Sequence, residues 1–133
     1  MRAFKTWSRA AALLLAGLAT VAYAQRGRWE YLGEAHVDGQ VDHDRIMVTA
    51  AEGRFRAIRL RVEVGPIEFD RVVVHFGNGS SEPIAIRLVI PAGGETRVID
   101  LPGERRVIQS VEFWYRKADW RSRRPRVRLF GLK

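Results

Sequence analysis

The chain has no cysteine among its 133 residues. No disulfide can therefore staple it, and no thiol nucleophile is available. Lysine is scarce as well, occurring only at Lys5, Lys117 and Lys133. Beyond residue 24 no stretch carries apolar residues at sustained helical spacing, and no repeat, linker or low-complexity tract interrupts the chain. Familiar catalytic signatures are missing too: there is no Gly-x-Ser-x-Gly elbow, no His-Glu-x-x-His, and no glycine loop of the kind that cradles phosphate at a helix start. A helical fold and the motif-bearing enzyme classes are the readings these absences weigh against.

What is present begins with an address. Arg2, Lys5 and Arg9 precede a largely apolar run from Ala10 to Ala22, and Ala22-Tyr23-Ala24 has the small-x-small form of a cleavage site. That run has 13 residues, fewer than the roughly 20 that span a bilayer as a helix. The pattern predicts a signal peptide over residues 1–24 and a mature, exported chain of 109 residues starting at Gln25, one domain long. Loss of the three leader cations leaves 20 of the 23 Lys and Arg residues against 15 acids, a net charge of +5. Nearly all of that positive charge is arginine.

The centre of the chain reads as strand. Ile58, Leu60, Val62 and Val64 alternate with Arg59, Arg61 and Glu63, and Ile84, Ile86, Leu88 and Ile90 repeat the pattern. Between them Val72, Val74 and Phe76 share a face. Ile67 and Phe69 fall on the opposite phase, which calls for a bulge near Asp70 and Arg71 or for a cap over the open end of the fold. Trp29, Tyr31, Ala35 and Val37 predict a first strand with a kink at Gly33. Asp42-His43-Asp44 reads as a polar loop before a short strand with Ile46 and Val48 on one face. Arg97–Leu101, Arg106–Lys117 and Val127–Leu132 complete about eight strands. The fold class is all-β, an antiparallel two-sheet sandwich with a jelly-roll-like form.

The ordered set Asp42-His-Asp44, Gly53-Arg-Phe55, Val72-Val-Val74 with Gly77-Asn-Gly79, Pro91-Ala-Gly-Gly94, Arg97-Val-Ile-Asp-Leu101 and Phe113-Trp-Tyr-Arg116 resembles a family of small exported bacterial proteins known as a domain of unknown function. The family brings no assigned activity. The ending Val111-Glu-Phe-Trp-Tyr115, loop, Arg126-Val-Arg-Leu-Phe-Gly131 is similar to the last two strands of galactose-binding-like jelly rolls. Such folds bind glycans, lipids or calcium at loop ends, which is what that resemblance implies.

Four groups of residues are candidates for chemistry. Ser80, Ser81, Glu82 and His75 compose a serine, histidine and acid set, although any chain of this size offers one and the serines suit a turn. Asp38, Asp42 and Asp44 are hard oxygen ligands suited to a structural calcium, whereas His36 and His43 suit zinc or copper. The plain alternative is that the aspartates bond turn amides and pair with arginine. Gly77-Asn78-Gly79 and Gly93-Gly94 are ligand loops or simply tight turns. The fourth group is the strongest: Trp114, Arg116, Trp120, Arg121, Arg123 and Arg124 interleave cations with flat rings. That combination grips an anionic glycan or a lipid headgroup, and export makes nucleic acid the least expected anion. Its bland reading is a solvated loop and edge, with Tyr115 in the core and Trp114 over an outer sheet face.

Two functions follow as expectations. One is a non-enzymatic cell-envelope binding module for an anionic glycan or lipid surface, with no cofactor. The other is a structural or interaction domain that pairs with an envelope protein through an exposed strand edge. Material exported from cells should begin at Gln25 by N-terminal sequencing, and recovery of a chain that retains Met1–Ala24 would refute the address.

Overall fold

The computed structural model describes residues 28–38, 41–119, 121 and 124–133. The predicted leader and its cleavage point lie outside the described residues. Ten strand segments carry the fold: β1 (Trp29–His36), β2 (Val41–Met47), β3 (Arg54–Phe55), β4 (Ala57–Glu63), β5 (Ile67–Phe76), β6 (Ser81–Ile84), β7 (Leu88–Ile90), β8 (Ile99–Asp100), β9 (Arg106–Lys117) and β10 (Arg126–Leu132). They form two antiparallel sheets, one ordered β1-β10-β4-β8 and the other β2-β9-β5-β6, with β3 added to β9 and β7 to β5. Among the described residues there is no α-helix; a single 3-10 turn, Ala50–Glu52, precedes β3.

The core lies between the sheets and its residues are the ones that alternation selects. Ile58, Leu60 and Val62 of β4 and Val127 and Leu129 of β10 meet Val72, Val74 and Phe76 of β5 and Val111, Phe113 and Tyr115 of β9, all buried in one cluster. Ile67 and Phe69 join them because the β5–β9 ladder shifts register between Phe69 and Arg71. The bulge, not an end cap, is thus the answer to the phase change.

Elsewhere backbone geometry overrides the period-2 pattern. In β1 the register shifts between Tyr31 and Gly33, so Leu32 turns inward and Tyr31, expected inside, is 49% exposed. Val64, also expected inside, takes a left-handed φ of 77° in the turn before β5 and is 57% exposed. The run Ile84–Ile90 is not one strand. It breaks at residues 85–87, leaving β6 and β7 in succession on β5, and Leu88 emerges on the surface while Ile86 and Ile90 stay buried. The run 54–63 breaks similarly at Arg56, where the chain crosses from the six-stranded sheet to the four-stranded one. These two breaks turn eight predicted strands into ten. Asp42-His43-Asp44, read as a loop, is the middle of β2.

Sheet packing is close where β10 meets β3. A Cβ on the buried Gly131 would stand 2.6 Å from Phe55 Cδ1 and 2.8 Å from Leu32 Cδ1. Neither ring nor leucine can retreat within a close-packed interior. Gly131→Ala should therefore destabilise the domain by about 1–3 kcal/mol, read as a lower urea midpoint at unchanged slope. A midpoint equal to wild type would show that the interior yields at this point.

Candidate functional site

The outer face of the six-stranded sheet collects polar groups through register alone. Opposite residues of an antiparallel pair share a face, so the ladders set His43 of β2 beside Trp114 of β9 and Trp114 beside Arg71 of β5. The His43 ring stacks on the indole at 4.6 Å and 16°, and the Arg71 guanidinium lies 4.8 Å from the indole centroid. One step along, Arg45 faces Glu112. The Glu112 carboxylate takes His75 Nε2 at 2.8 Å, His43 Nε2 at 2.5 Å and Arg45 at 3.3 Å. Glu112 is only 8% exposed. The hydrogen bond from His75 leads those from His43 and Arg45 in holding its pKa down to about 2, against a burial effect that pushes it up.

This arrangement revises the serine, histidine and acid set. The acid partner of His75 is Glu112, not Glu82. Ser81 lies across from His75 in the β5–β6 pair, but the Ser80 hydroxyl donates to Asn78 Oδ1 at 2.6 Å as part of a turn. Nothing in spacing along the chain points to Glu112, which becomes a neighbour of both histidines only when β2, β9 and β5 pair.

The described residues of the arginine-aromatic segment do not gather into one cleft. Trp114 is half-buried between His43 and Arg71, and Tyr115 is fully buried in the core. Arg116 reaches Asp70 at 3.2 Å and Glu68 at 3.7 Å. Arg124 pairs with Asp38 at 2.5 Å. Arg121 is exposed in a turn where its amide donates to Asp119 Oδ1. Trp120 and Arg123 lie outside the described residues.

The acidic candidates separate as well. Asp38 faces Arg124, and Asp44 accepts the Arg45 amide at 2.9 Å. The Asp42 side chain lies outside what is described. His36 sits on β1 beside Glu34 at 3.2 Å, in the other sheet from His43. Among the described residues no three histidine or acid side chains are grouped to hold a metal ion.

The four-stranded sheet has a charge lattice on its outside. Arg126 and Arg128 of β10 stand between Glu34 of β1 and Glu63 of β4, and Arg59 and Arg61 reach Glu95. Hydrogen bonds from Tyr31 to Glu34 and from Arg126 to Glu63 are the leading reasons that both carboxyls sit below the usual carboxylate range.

A different group of arginines converges. β3 pairs with the start of β9 on one side, and the end of β5 flanks it on the other, where the Gly77 amide donates to the Val107 carbonyl at 2.9 Å. Ala50, Arg54, Phe76, Gly77, Asn78, Arg105, Arg106 and Val107 there line a concavity of about 510 Å³. Arg106 lies on the buried Phe76 ring, 3.9 Å from its centroid. Its guanidinium donates to the Pro102 carbonyl at 3.0 Å and to Ser80 Oγ at 3.1 Å, tying two loops together. Arg54 and Arg105 are exposed, and neither side chain has an ion pair or hydrogen bond among the described residues. No carboxylate lines the concavity. The sequence pattern passes over these three arginines because they come from segments about 50 residues apart and meet only when β3 pairs with β9.

A family model described as a domain of unknown function (DUF2541) matches residues 10–131. No curated protein and no solved structure matches, so no structural neighbour supports the jelly-roll likeness. No helix among the described residues is long and apolar enough to cross a membrane.

The Glu112 cluster makes stability depend on pH. A carboxyl held below its ordinary value stabilises the folded state above that value, and the contribution is lost as pH falls through the folded value. Glu112→Gln should lower unfolding free energy at pH 7 by about 2 kcal/mol. The gap to wild type should narrow as pH falls from 4.5 towards about 2. Urea titrations at pH 7 and pH 3 read this, and a gap of constant size would place the interaction elsewhere.

Proposed function

We propose, for a chain that belongs to the family described as a domain of unknown function (DUF2541), that it acts as a non-enzymatic binding module of the cell envelope for an anionic glycan or lipid headgroup. One observation carries this reading: the arginines of both sheet faces are largely neutralised, whereas those of the end concavity are not. Arg45, Arg59, Arg61, Arg116, Arg126 and Arg128 each face a glutamate or aspartate. Arg54, Arg105 and Arg106 share a concavity with no acid in its lining. Unbalanced guanidiniums in a recess raise local positive potential and attract anions, and the planar fork matches oxyanions in two-point contact.

The recess is also of ligand size, within the range of about 300–1,000 Å³ that small-molecule sites occupy. Arg106 needs little reordering on binding, because Pro102, Ser80 and Phe76 already fix it. The binding group therefore moves from the Trp114–Arg124 segment to the opposite end of β9.

Pairing through a strand edge remains the second reading, favoured by β2. It ends its sheet and runs seven residues without a bulge, whereas β1, the edge of the other sheet, is bulged near Gly33.

A sulfated polysaccharide and vesicles bearing anionic lipid are suitable probes. Binding should weaken steeply between 50 and 300 mM salt, as exposed ion contacts are screened. The double variant Arg54→Gln/Arg105→Gln should weaken it roughly tenfold at fixed salt while leaving the melting temperature unchanged. Binding that ignores both salt and the double variant would overturn the assignment, and self-association without anion binding would favour the edge-pairing reading.

A further inference from the structure

We infer that the preferred ligand group of the end concavity is a phosphate monoester, the dianion carried by a phosphorylated sugar or by a lipid with a terminal phosphate. The inference rests on the anion-binding reading above and narrows it.

Three guanidiniums, from β3, from the residue before β9 and from the first residue of β9, share one recess, and none of the lining residues is acidic. Glu52 and Glu104 neighbour Arg54 and Arg105 in the chain, but neither lines the recess and neither holds an ion pair among the described residues. Lys133, which approaches Gly53, is already paired with Glu30 at 3.1 Å. A uronate, a sulfate ester or a phosphodiester brings a single negative charge. A phosphate monoester brings about −1.5 to −2 at neutral pH, with three acceptor oxygens. Three converging forks are balanced more closely by that group than by any single charge.

The remaining lining gives the rest of the ligand a place. Ala50 and Val107 are apolar, and Phe76 forms the floor beneath the Arg106 guanidinium. A compact body joined to the phosphate, such as a sugar ring, can rest against Ala50 and Val107 while its phosphate faces Arg54 and Arg105. Asn78 lines the same recess and its amide is available to a hydroxyl-bearing ligand, although its Oδ1 already accepts from Ser80 and Arg106.

The prediction carries its own signature in pH. None of the lining residues is a histidine or an acid, so the recess keeps its charge between pH 5 and 7.5. A phosphate monoester gains its second charge near pH 6. Titration calorimetry with a hexose 6-phosphate should show affinity rising about fivefold or more from pH 5 to 7.5, while sulfate binding stays flat. Arg54→Gln/Arg105→Gln should abolish the rise, with the melting temperature as a control for folding.

Vesicles of phosphatidic acid set against vesicles of a phosphodiester lipid identify the source. Preference for phosphatidic acid over the hexose phosphate assigns the lipid, and the reverse assigns the sugar. Equal affinity for sulfate and hexose phosphate at pH 7.5, or a pH-independent phosphate affinity, would overturn the monoester assignment and leave the broader anionic reading standing. Failure of every anion, including the sulfated polysaccharide, would overturn both.

Discussion

The pairing of β5 with β9 is the constraint on which the rest of this structure depends. β9 is the longest strand and lies inside its sheet, with β2 and β3 on one side and β5 on the other. Its inward residues, Ile108, Val111, Phe113 and Tyr115, are fully buried against the second sheet. Burial of side chains of this size contributes on the order of 1.5–3 kcal/mol each. The ladder bulges at Asp70, and the extra residue lets Phe69 and Val72 both face the core despite their opposite phase. Without that irregularity one half of β5 would present its apolar residues to water.

The same ladder also decides what the surface does. Because cross-strand neighbours share a face, it puts Glu112 between two histidines and lays His43, Trp114 and Arg71 side by side. Trp114 is thereby engaged on the sheet and is not offered as a free aromatic platform. At its beginning, β9 extends past β2 to a point where only the short β3 and the end of β5 accompany it. Arg105 and Arg106 line the concavity there.

Arginine has two roles in this molecule. On the outside of the four-stranded sheet Arg59, Arg61, Arg126 and Arg128 interleave with Glu34, Glu63 and Glu95. Exposed pairs of this kind contribute about 0–1 kcal/mol each, so their larger consequence is electrostatic: they cancel the field over that face. At the end concavity, by contrast, Arg54, Arg105 and Arg106 have no carboxylate beside them among the described lining residues. A net positive charge spread evenly through the composition thus becomes local only in three dimensions.

Alternation in the amino-acid sequence determined the all-β class and most of the core, since Ile58, Leu60, Val62, Val74, Val111 and Phe113 need only the period of an extended chain to fall on one face. It also marked a phase change near Asp70 that a bulge or an end cap would answer, and the β5–β9 ladder chose the bulge. Tyr31, Val64 and Leu88 went the other way, each beside a bulge, a left-handed turn or a strand break that the pattern of apolar residues does not encode. The candidate residues show the same division more sharply. Trp114 through Arg124 look like a binding segment because they are adjacent in the chain, and the fold spreads the described ones over a sheet face and a loop. Arg54, Arg105 and Arg106, and likewise His43, His75 and Glu112, are brought together by strand pairing across long stretches of chain. Sequence records which side of a strand a residue occupies; only tertiary structure decides which strands lie next to it, and therefore which charges face a partner and which do not.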